Sequence, residues 1–337
     1  MAQRVFLVAE IGVNHNGSEA LAAQLIDAAA AAGAGGVKFQ AFRAAGLVVE
    51  QAPMAAYQQR NTGTAVSQRQ MLAGLELGEE AFARLMARAA GHGLAFLVSP
   101  FDLESVDLLD RLGVAILKVP SGEIVNIPYL RAIGRLGRRV FLSTGMSRLG
   151  EIEAALEILA EAGTPAADVV VLHCTTEYPA PFEQANLRAM SAMAAAFPGV
   201  AVGFSDHTTG IEAALAAVAL GAAVVEKHFT LDKALPGPDH RASLDPAEFA
   251  ALVAAARNVE KALGDGWKRP TLAERRNLPV VRKVLVAARP IAAGERYSAE
   301  NLTAKRAGVP GVSPALWDLA LTRTAPRSYV PDEAIEL

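Results

Sequence analysis

The sequence predicts an α/β fold, a (β/α)8 TIM barrel followed by a small C-terminal domain. Eight short β-rich runs alternate with helical patterns over roughly the first 265 of 337 residues, the size and rhythm of such a barrel. Each run delivers polar residues at or just after its C-terminal end. Beyond Gly264 the long amphipathic stretches stop, and a charged, Pro-interrupted segment, "DGWKRPTLAERRNLPVVRK", leads into short strands and turns. The boundaries are therefore a barrel over 1–265, a linker over 266–282 and a second domain over 283–337, too small to be very stable alone.

The runs are "VFLVA" (5–9), "GVKF" (36–39), "AFLV" (95–98), "ILKV" (116–119), "VFLS" (140–143), "VVVLH" (169–173), "AVGF" (201–204) and "AVVEK" (223–227). Their spacing demands helical crossovers between parallel strands. The first crossover, "SEALAAQLIDAAAAAG", opens at an N-capping Ser18 and closes at Gly33. "SRLGEIEAALEILAEAG" and "LDPAEFAALVAAARNVEKALG" follow the same grammar. A doubly wound open sheet is the alternative, but no GxGxxG follows any strand, which argues against a dinucleotide site.

Composition narrows the function. Hydrophobic residues make up 52%, yet no stretch of about 18 residues reads as a membrane span. "MAQRVFLVAEIG" reads as a first strand rather than a signal peptide. The single cysteine, Cys174, leaves no internal disulfide and fits a reducing cytoplasm. A formal net charge of −3 without a basic block offers no electrostatic case for nucleic acid or an anionic membrane.

A barrel enzyme holds its chemistry at the C-terminal ends of its strands. Those ends carry Glu10; Lys38 and Gln40; Ser99; Lys118, Ser121 and Glu123; Ser143; Thr175, Thr176 and Tyr178; Ser205 and His207; and His228. Lys38 and Lys118 lie in apolar strand contexts, where an unpaired ammonium is costly. A phosphate or carboxylate between them offsets that cost, with Ser99, Ser121, Ser143 and Ser205 donating hydrogen bonds. Pairing with a barrel carboxylate, Lys118 with Glu123 for instance, is the structural alternative. His207 and His228, on adjacent strands, are placed to share a divalent metal with positions open for water and substrate. A single strand-end histidine is more often a hydrogen-bonded structural residue. Glu10 and Glu123 are the carboxylates left to orient a sugar or move protons. His173 packs at or beneath the rim, His92 is a loop residue, and Asp206 fixes a turn.

With these residues assembled, the chain resembles the sialic acid synthase (N-acetylneuraminate synthase) family. The matching motifs run through "AEIGVNHNGS", "VKFQAF", "LKVPSGEIVNIPYL", "LSTGMS", "LHCTTEYPAPFE", "VGFSDHT", "VVEKHFTLDK" and "GPDHRASLDP", and in the tail "VAARPIAAGE" and "KRAGVPGVSP". The resemblance implies a barrel followed by an antifreeze-like (SAF) domain in a domain-swapped homodimer. It also implies a transferase that condenses phosphoenolpyruvate with an N-acetylated mannosamine, giving a nine-carbon 2-keto acid and phosphate.

Carried over position by position, the resemblance makes His207 and His228 the ligands of a divalent metal, Mn2+ first and Mg2+ or Co2+ as alternatives. Lys38, Ser99, Lys118, Ser121, Ser143 and Ser205 become the phosphoenolpyruvate cradle, with Thr176 where some members have Asn. Gln40, Asn61, Glu123, Tyr178 and Asp239 become sugar contacts. Arg306, in "KRAG", becomes the tail residue that reaches the N-acetyl group in a partner's barrel. Glu226 is placed to orient a water beside the metal. N-acetylmannosamine is the first acceptor implied, with 2,4-diacetamido-2,4,6-trideoxymannose, the legionaminate precursor, next and the pseudaminate precursor after it. A non-catalytic carbohydrate- or ice-binding protein would have lost the strand-end lysines and histidines, which are intact here. A pyruvate-dependent metal aldolase would have no need of a serine-lined phosphate cradle.

Overall fold

The computed structural model describes residues 4–54 and 67–337. Eight parallel strands close in sequence order into a barrel. They are β1 (Phe6–Gly12), β2 (Gly36–Ala41), β3 (Ala95–Pro100), β4 (Ile116–Val119), β5 (Arg139–Ser143), β6 (Val169–Cys174), β7 (Ala201–Asp206) and β8 (Val224–His228). The ring closes where β8 pairs with β1, from Phe6↔Val224 to Glu10↔His228. The open-sheet alternative is thereby removed.

Helices between the strands cover the outside. Ser18 caps Glu19–Ala31 by accepting from the Leu21 amide, as its sequence position predicts. Asp245 and Glu248 form a reciprocal capping box on Pro246–Leu263. Outward strand residues such as Leu7, Ala9, Val37 and Phe39 meet Leu25, Ile26 and Ala29 in the main core. The period of two then sends the intervening residues inward. Val8, Leu97, Phe141, Val170, Leu172 and Val224 fill the lower interior as a separate apolar cluster. Two inward positions have no room for a side chain. A Cβ at Gly203 would lie 2.6 Å from the Val224 carbonyl, and one at Gly36 2.9 Å from the Ala95 carbonyl.

Most of the strands run further at their C-terminal ends than the apolar runs predict. Hydropathy stops at Phe204, yet Cys174↔Ser205, Ser205↔Glu226 and Asp206↔Lys227 continue the ladders. The polar rim is therefore held in register by main-chain pairing, which fixes its side chains more firmly than loops would.

The chain divides into two compact units, Met1–Gly264 and Asp265–Leu337. The second holds an antiparallel pair, β9 (Val284–Ala287) with β10 (Leu302–Lys305), over its own core of Leu285, Ile291, Tyr297, Leu302 and Tyr329. The segment read as a linker contains a helix, Leu272–Val281. Its "TLAE" start is a capping box between Thr271 and Glu274, and Pro279 falls too near the end to prevent the first turns forming. No helix among the described residues is long and apolar enough to cross a membrane.

Candidate active site

A cavity of about 350 Å³ opens at the C-terminal end of the barrel. Of the described barrel residues given a catalytic or binding role from the sequence, all line it except Glu123. Its floor is the layer directly above the apolar interior. There Glu226 lies between the two lysines: Lys118 Nζ donates to Oε1 at 2.8 Å and Oε2 at 3.0 Å, and Lys38 Nζ lies 3.3 Å from Oε1. Ser205 Oγ donates to the same oxygen at 2.9 Å. Lys38 also pairs with Glu10 Oε2 at 3.0 Å and donates to Ser99 Oγ at 3.3 Å. Gln40 Nε2 donates to Glu10 Oε1 at 3.3 Å.

The lysines are thus both paired, and the partner of Lys118 is Glu226 rather than Glu123. Strand alternation explains the difference: Glu226 shares the inward parity of Lys118, whereas Glu123 lies beyond β4 on the short turn Ser121–Glu123. Charges respond to this crowding. Burial opposes ionisation of Glu226, but Lys118 and Lys38 outweigh it and hold the carboxyl well below its usual range. Burial and the nearby Glu226 carboxylate raise Glu10, against the pull of Lys38. Burial disfavours the Lys38 ammonium, and Glu10 and Glu226 more than offset that, raising its pKa. For Lys118 burial wins, with Lys38 adding to the downward shift against Glu226.

Beside this floor lies a small-residue shelf. The Gly145 amide donates to Ser121 Oγ at 2.9 Å, and Ser121 Oγ lies 3.2 Å from Cys174 Sγ. A Cβ at Gly145 would meet Thr176 Oγ1 at 2.4 Å and Ser121 Oγ at 2.8 Å. The site therefore requires glycine between Ser143 and Met146, a residue the sequence reading passed over although it sits in "LSTGMS". Ser143 and Thr176 line the same part of the cavity.

The third component is a pair of imidazoles whose ring centroids are 5.5 Å apart. His207 Nδ1 donates to the Thr175 carbonyl at 2.6 Å, which leaves Nε2 as the lone-pair nitrogen, 3.4 Å from Ser205 Oγ. His228 Nδ1 is buried without a hydrogen-bond partner, and Asp239 Oδ2 lies 3.9 Å from it. Burial lowers His207 to about 4 against the help of the Thr175 carbonyl. Burial and the neighbouring His207 push His228 well below its usual value. Both rings are therefore neutral at pH 7, the state that ligates metal. Burial, with Glu10 next, raises Asp239 to about 7. Tyr178 packs against both rings, at 4.2 Å from His207 and 5.6 Å from His228.

Glu123 stands apart from this cavity. Glu123 accepts from Asn126 Nδ2 at 2.6 Å and lines a separate crevice with Asp102 and Tyr129. Arg306 lies in the second unit, exposed just after β10. Asn61 lies outside the described residues. Asp206 does fix the turn, accepting from the Thr208 amide and hydroxyl at 2.8 Å each. It also forms a buried pair with Lys227 at 2.8 Å, facing away from the cavity. His92 pairs with Asp27 on the surface, and His173 Nε2 meets the Ala185 carbonyl at 2.7 Å.

The NeuB family model matches residues 25–268, and a SAF domain model matches residues 282–336. The chain belongs to the NeuB family of sialic acid synthases. It is 49% identical to the N,N'-diacetyllegionaminic acid synthase of Campylobacter jejuni, with 99% of each chain covered. The Legionella pneumophila enzyme of the same name is 43% identical over 92% of this chain and 87% of its own. Among solved structures, the N-acetylneuraminic acid synthetase of Leptospira borgpetersenii is 35% identical, with a TM-score of 0.71 over 81% of this chain and 90% of that one. Membership makes the protein an enzyme of the neuraminate synthase type, a barrel with a C-terminal SAF domain. The ice-binding and pyruvate-aldolase readings fall with it.

Proposed function

We propose that the protein condenses phosphoenolpyruvate with 2,4-diacetamido-2,4,6-trideoxymannose and water, releasing phosphate and a nine-carbon 2-keto acid of the legionaminate type. The chemistry rests on one observation: two buried lysines and a set of serines share a cavity with two neutral imidazoles. The acceptor rests on the relatives. N-acetylmannosamine, placed first by the sequence, gives way because the two legionaminate synthases share 49% and 43% identity over most of the chain.

In this reading Lys38, Lys118, Ser99, Ser121, Ser143 and Ser205 hold the phosphate and carboxylate of phosphoenolpyruvate. Thr176 and the Gly145 shelf supply the space. His207 Nε2 and His228 Nδ1 fit a divalent metal: both are neutral nitrogens at the cavity, and the second is buried without a partner. Two protein nitrogens alone would leave positions open for water and substrate. Bound there, Mn2+, or Mg2+ or Co2+ in its place, supplies Lewis acidity toward the acceptor's aldehyde oxygen. The C3 of phosphoenolpyruvate attacks C1 of the open-chain sugar. Glu226 and Glu10 face the positive character that develops at C2. Water adds at C2, and the tetrahedral intermediate expels phosphate with cleavage of the C–O bond. Gln40, Tyr178 and Asp239 orient the sugar. The family resemblance adds a domain-swapped homodimer, in which Arg306 of the partner subunit closes the acceptor site.

Phosphate release measured with each sugar tests the reaction, with the diacetamido sugar expected to turn over faster. Oxygen-18 in the bridging C–O position of phosphoenolpyruvate should leave with phosphate; its retention in the keto acid refutes the route. Mixing Arg306→Ala and Lys118→Ala chains should restore activity if sites are shared across subunits.

A further inference from the structure

The cavity has two unlike sides. The imidazoles occupy one, at the ends of β7 and β8, and the charged floor beneath spans the ring from Lys38 on β2 to Glu226 on β8. The other is built from segments that follow β2 and β3, of which β3 lies across the closed ring from β7. There Phe42, Leu47, Met71, Leu72, Leu75 and Phe101 line the cavity. They belong to one apolar cluster, with Phe42 and Leu72 buried and the other four partly exposed. Gln68 also lines this side, one turn before Leu72 on the helix Gln68–Ala73. Nothing in the condensation chemistry calls for an apolar face, and Met71 and Leu75 keep surface open to the cavity rather than closing into the core.

We infer that this wall is the acceptor-discriminating surface, and that it receives the C4–C6 end of the sugar. The inference rests on the proposed reaction and deepens it. An aldehyde held at the imidazoles directs the rest of an open-chain sugar across the ring, toward β2 and β3. A 6-deoxy sugar presents a methyl group there, and a 4-acetamido group adds a second methyl with an amide that Gln68 meets. The hydroxyls of N-acetylmannosamine at the same two carbons would instead lose water against Phe42, Met71 and Leu75 without a partner. An apolar pocket discriminates against an added hydroxyl only moderately, by about 100-fold or less.

The full-length, Mn2+-loaded enzyme is assayed for kcat/KM with three acceptors: 2,4-diacetamido-2,4,6-trideoxymannose, its 6-hydroxy counterpart and N-acetylmannosamine. The expected order is the order just given, spanning about 10-fold to 100-fold. Met71→Gln and Leu75→Gln, made separately on partly exposed positions, should each narrow the span by several-fold through KM for the trideoxy sugar. KM for phosphoenolpyruvate should stay unchanged. The 6-hydroxy sugar tests the methyl contact on the unmodified protein, whatever the fate of either variant. Equal kcat/KM for the 6-deoxy and 6-hydroxy sugars, or an unchanged span in variants with wild-type melting, overturns the wall assignment and leaves the reaction standing. Turnover of none of the three removes the reaction itself, and the wall with it.

Discussion

Two buried acid–base clusters stand back to back on β7 and β8, made from neighbouring residues. Facing out, Asp206 and Lys227 form a closed unit: the carboxylate takes the ammonium at 2.8 Å and two bonds from Thr208, and Lys227 also reaches the Thr208 carbonyl at 2.5 Å. Facing in, Glu226 accepts from both lysines and Ser205, while Lys38 is shared with Glu10. Both clusters are almost fully buried. The outer one faces away from the active-site cavity and has every strong partner in place, so its work is structural. The inner one borders the cavity, and its ammonium groups are held by carboxylates that a bound anion must share. What separates a structural ion pair from a working one is access and a surplus of partners, since the residue types and depth are the same.

The sharpest break between them is a loss on each side. Lys118→Met should lower kcat/KM for phosphoenolpyruvate by about 1000-fold, the scale of removing one preorganised charge contact, about 4 kcal/mol. Its melting temperature should change little, because Glu226 keeps Lys38 and Ser205. Steady-state kinetics and thermal melts read the two effects apart. Lys227→Met should do the reverse. Leaving Asp206 buried without its ammonium costs about 3–5 kcal/mol of stability, while kcat/KM per folded molecule stays within a few-fold. Pairing it with Asp206→Asn should recover much of the loss, and denaturant unfolding of the single and double variants measures the recovery. Equal stability losses in Lys118→Met and Lys227→Met would erase the distinction.

Strand count, strand order and the polar rim were legible because hydropathy with a period of two is a local property. Placing Lys38, Ser205 and His228 at one rim needed only the rule that barrel strands end on one face. The partner of Lys118 was not legible, because Glu226 lies 108 residues away and only barrel closure brings them to 2.8 Å. Parity along β8 was the available signal: Val224, Glu226 and His228 alternate, so Glu226 had to share the face of His228. Gly145 was missed because a glycine signals a turn in sequence, and only three-dimensional packing shows that a Cβ would strike Thr176. The helix Leu272–Val281 was missed because Pro279 and charge drew attention from its "TLAE" cap. The apolar wall stayed hidden for a different reason: Phe42, Met71 and Phe101 come from three separate segments with no shared motif.

A third buried polar group lacks the charged partner that both clusters possess, and it sets the smallest predicted effect. His15, fully buried after β1, accepts from the Gly17 amide through Nδ1 at 3.0 Å. Burial, against the help of the Gly12 backbone, lowers its pKa from 6.5 to about 4. The folded state therefore resists a proton that the unfolded chain accepts. Above pH 6.5 the ring is neutral in both states and costs nothing. As pH falls from 6.5 toward 4 the unfolded chain binds more protons, and stability drops by about 2 kcal/mol at pH 5 from this residue alone. His15→Gln keeps an acceptor for Gly17 and removes the titration. Its unfolding free energy should fall less steeply between pH 7 and 5 than that of the wild type, by about that amount.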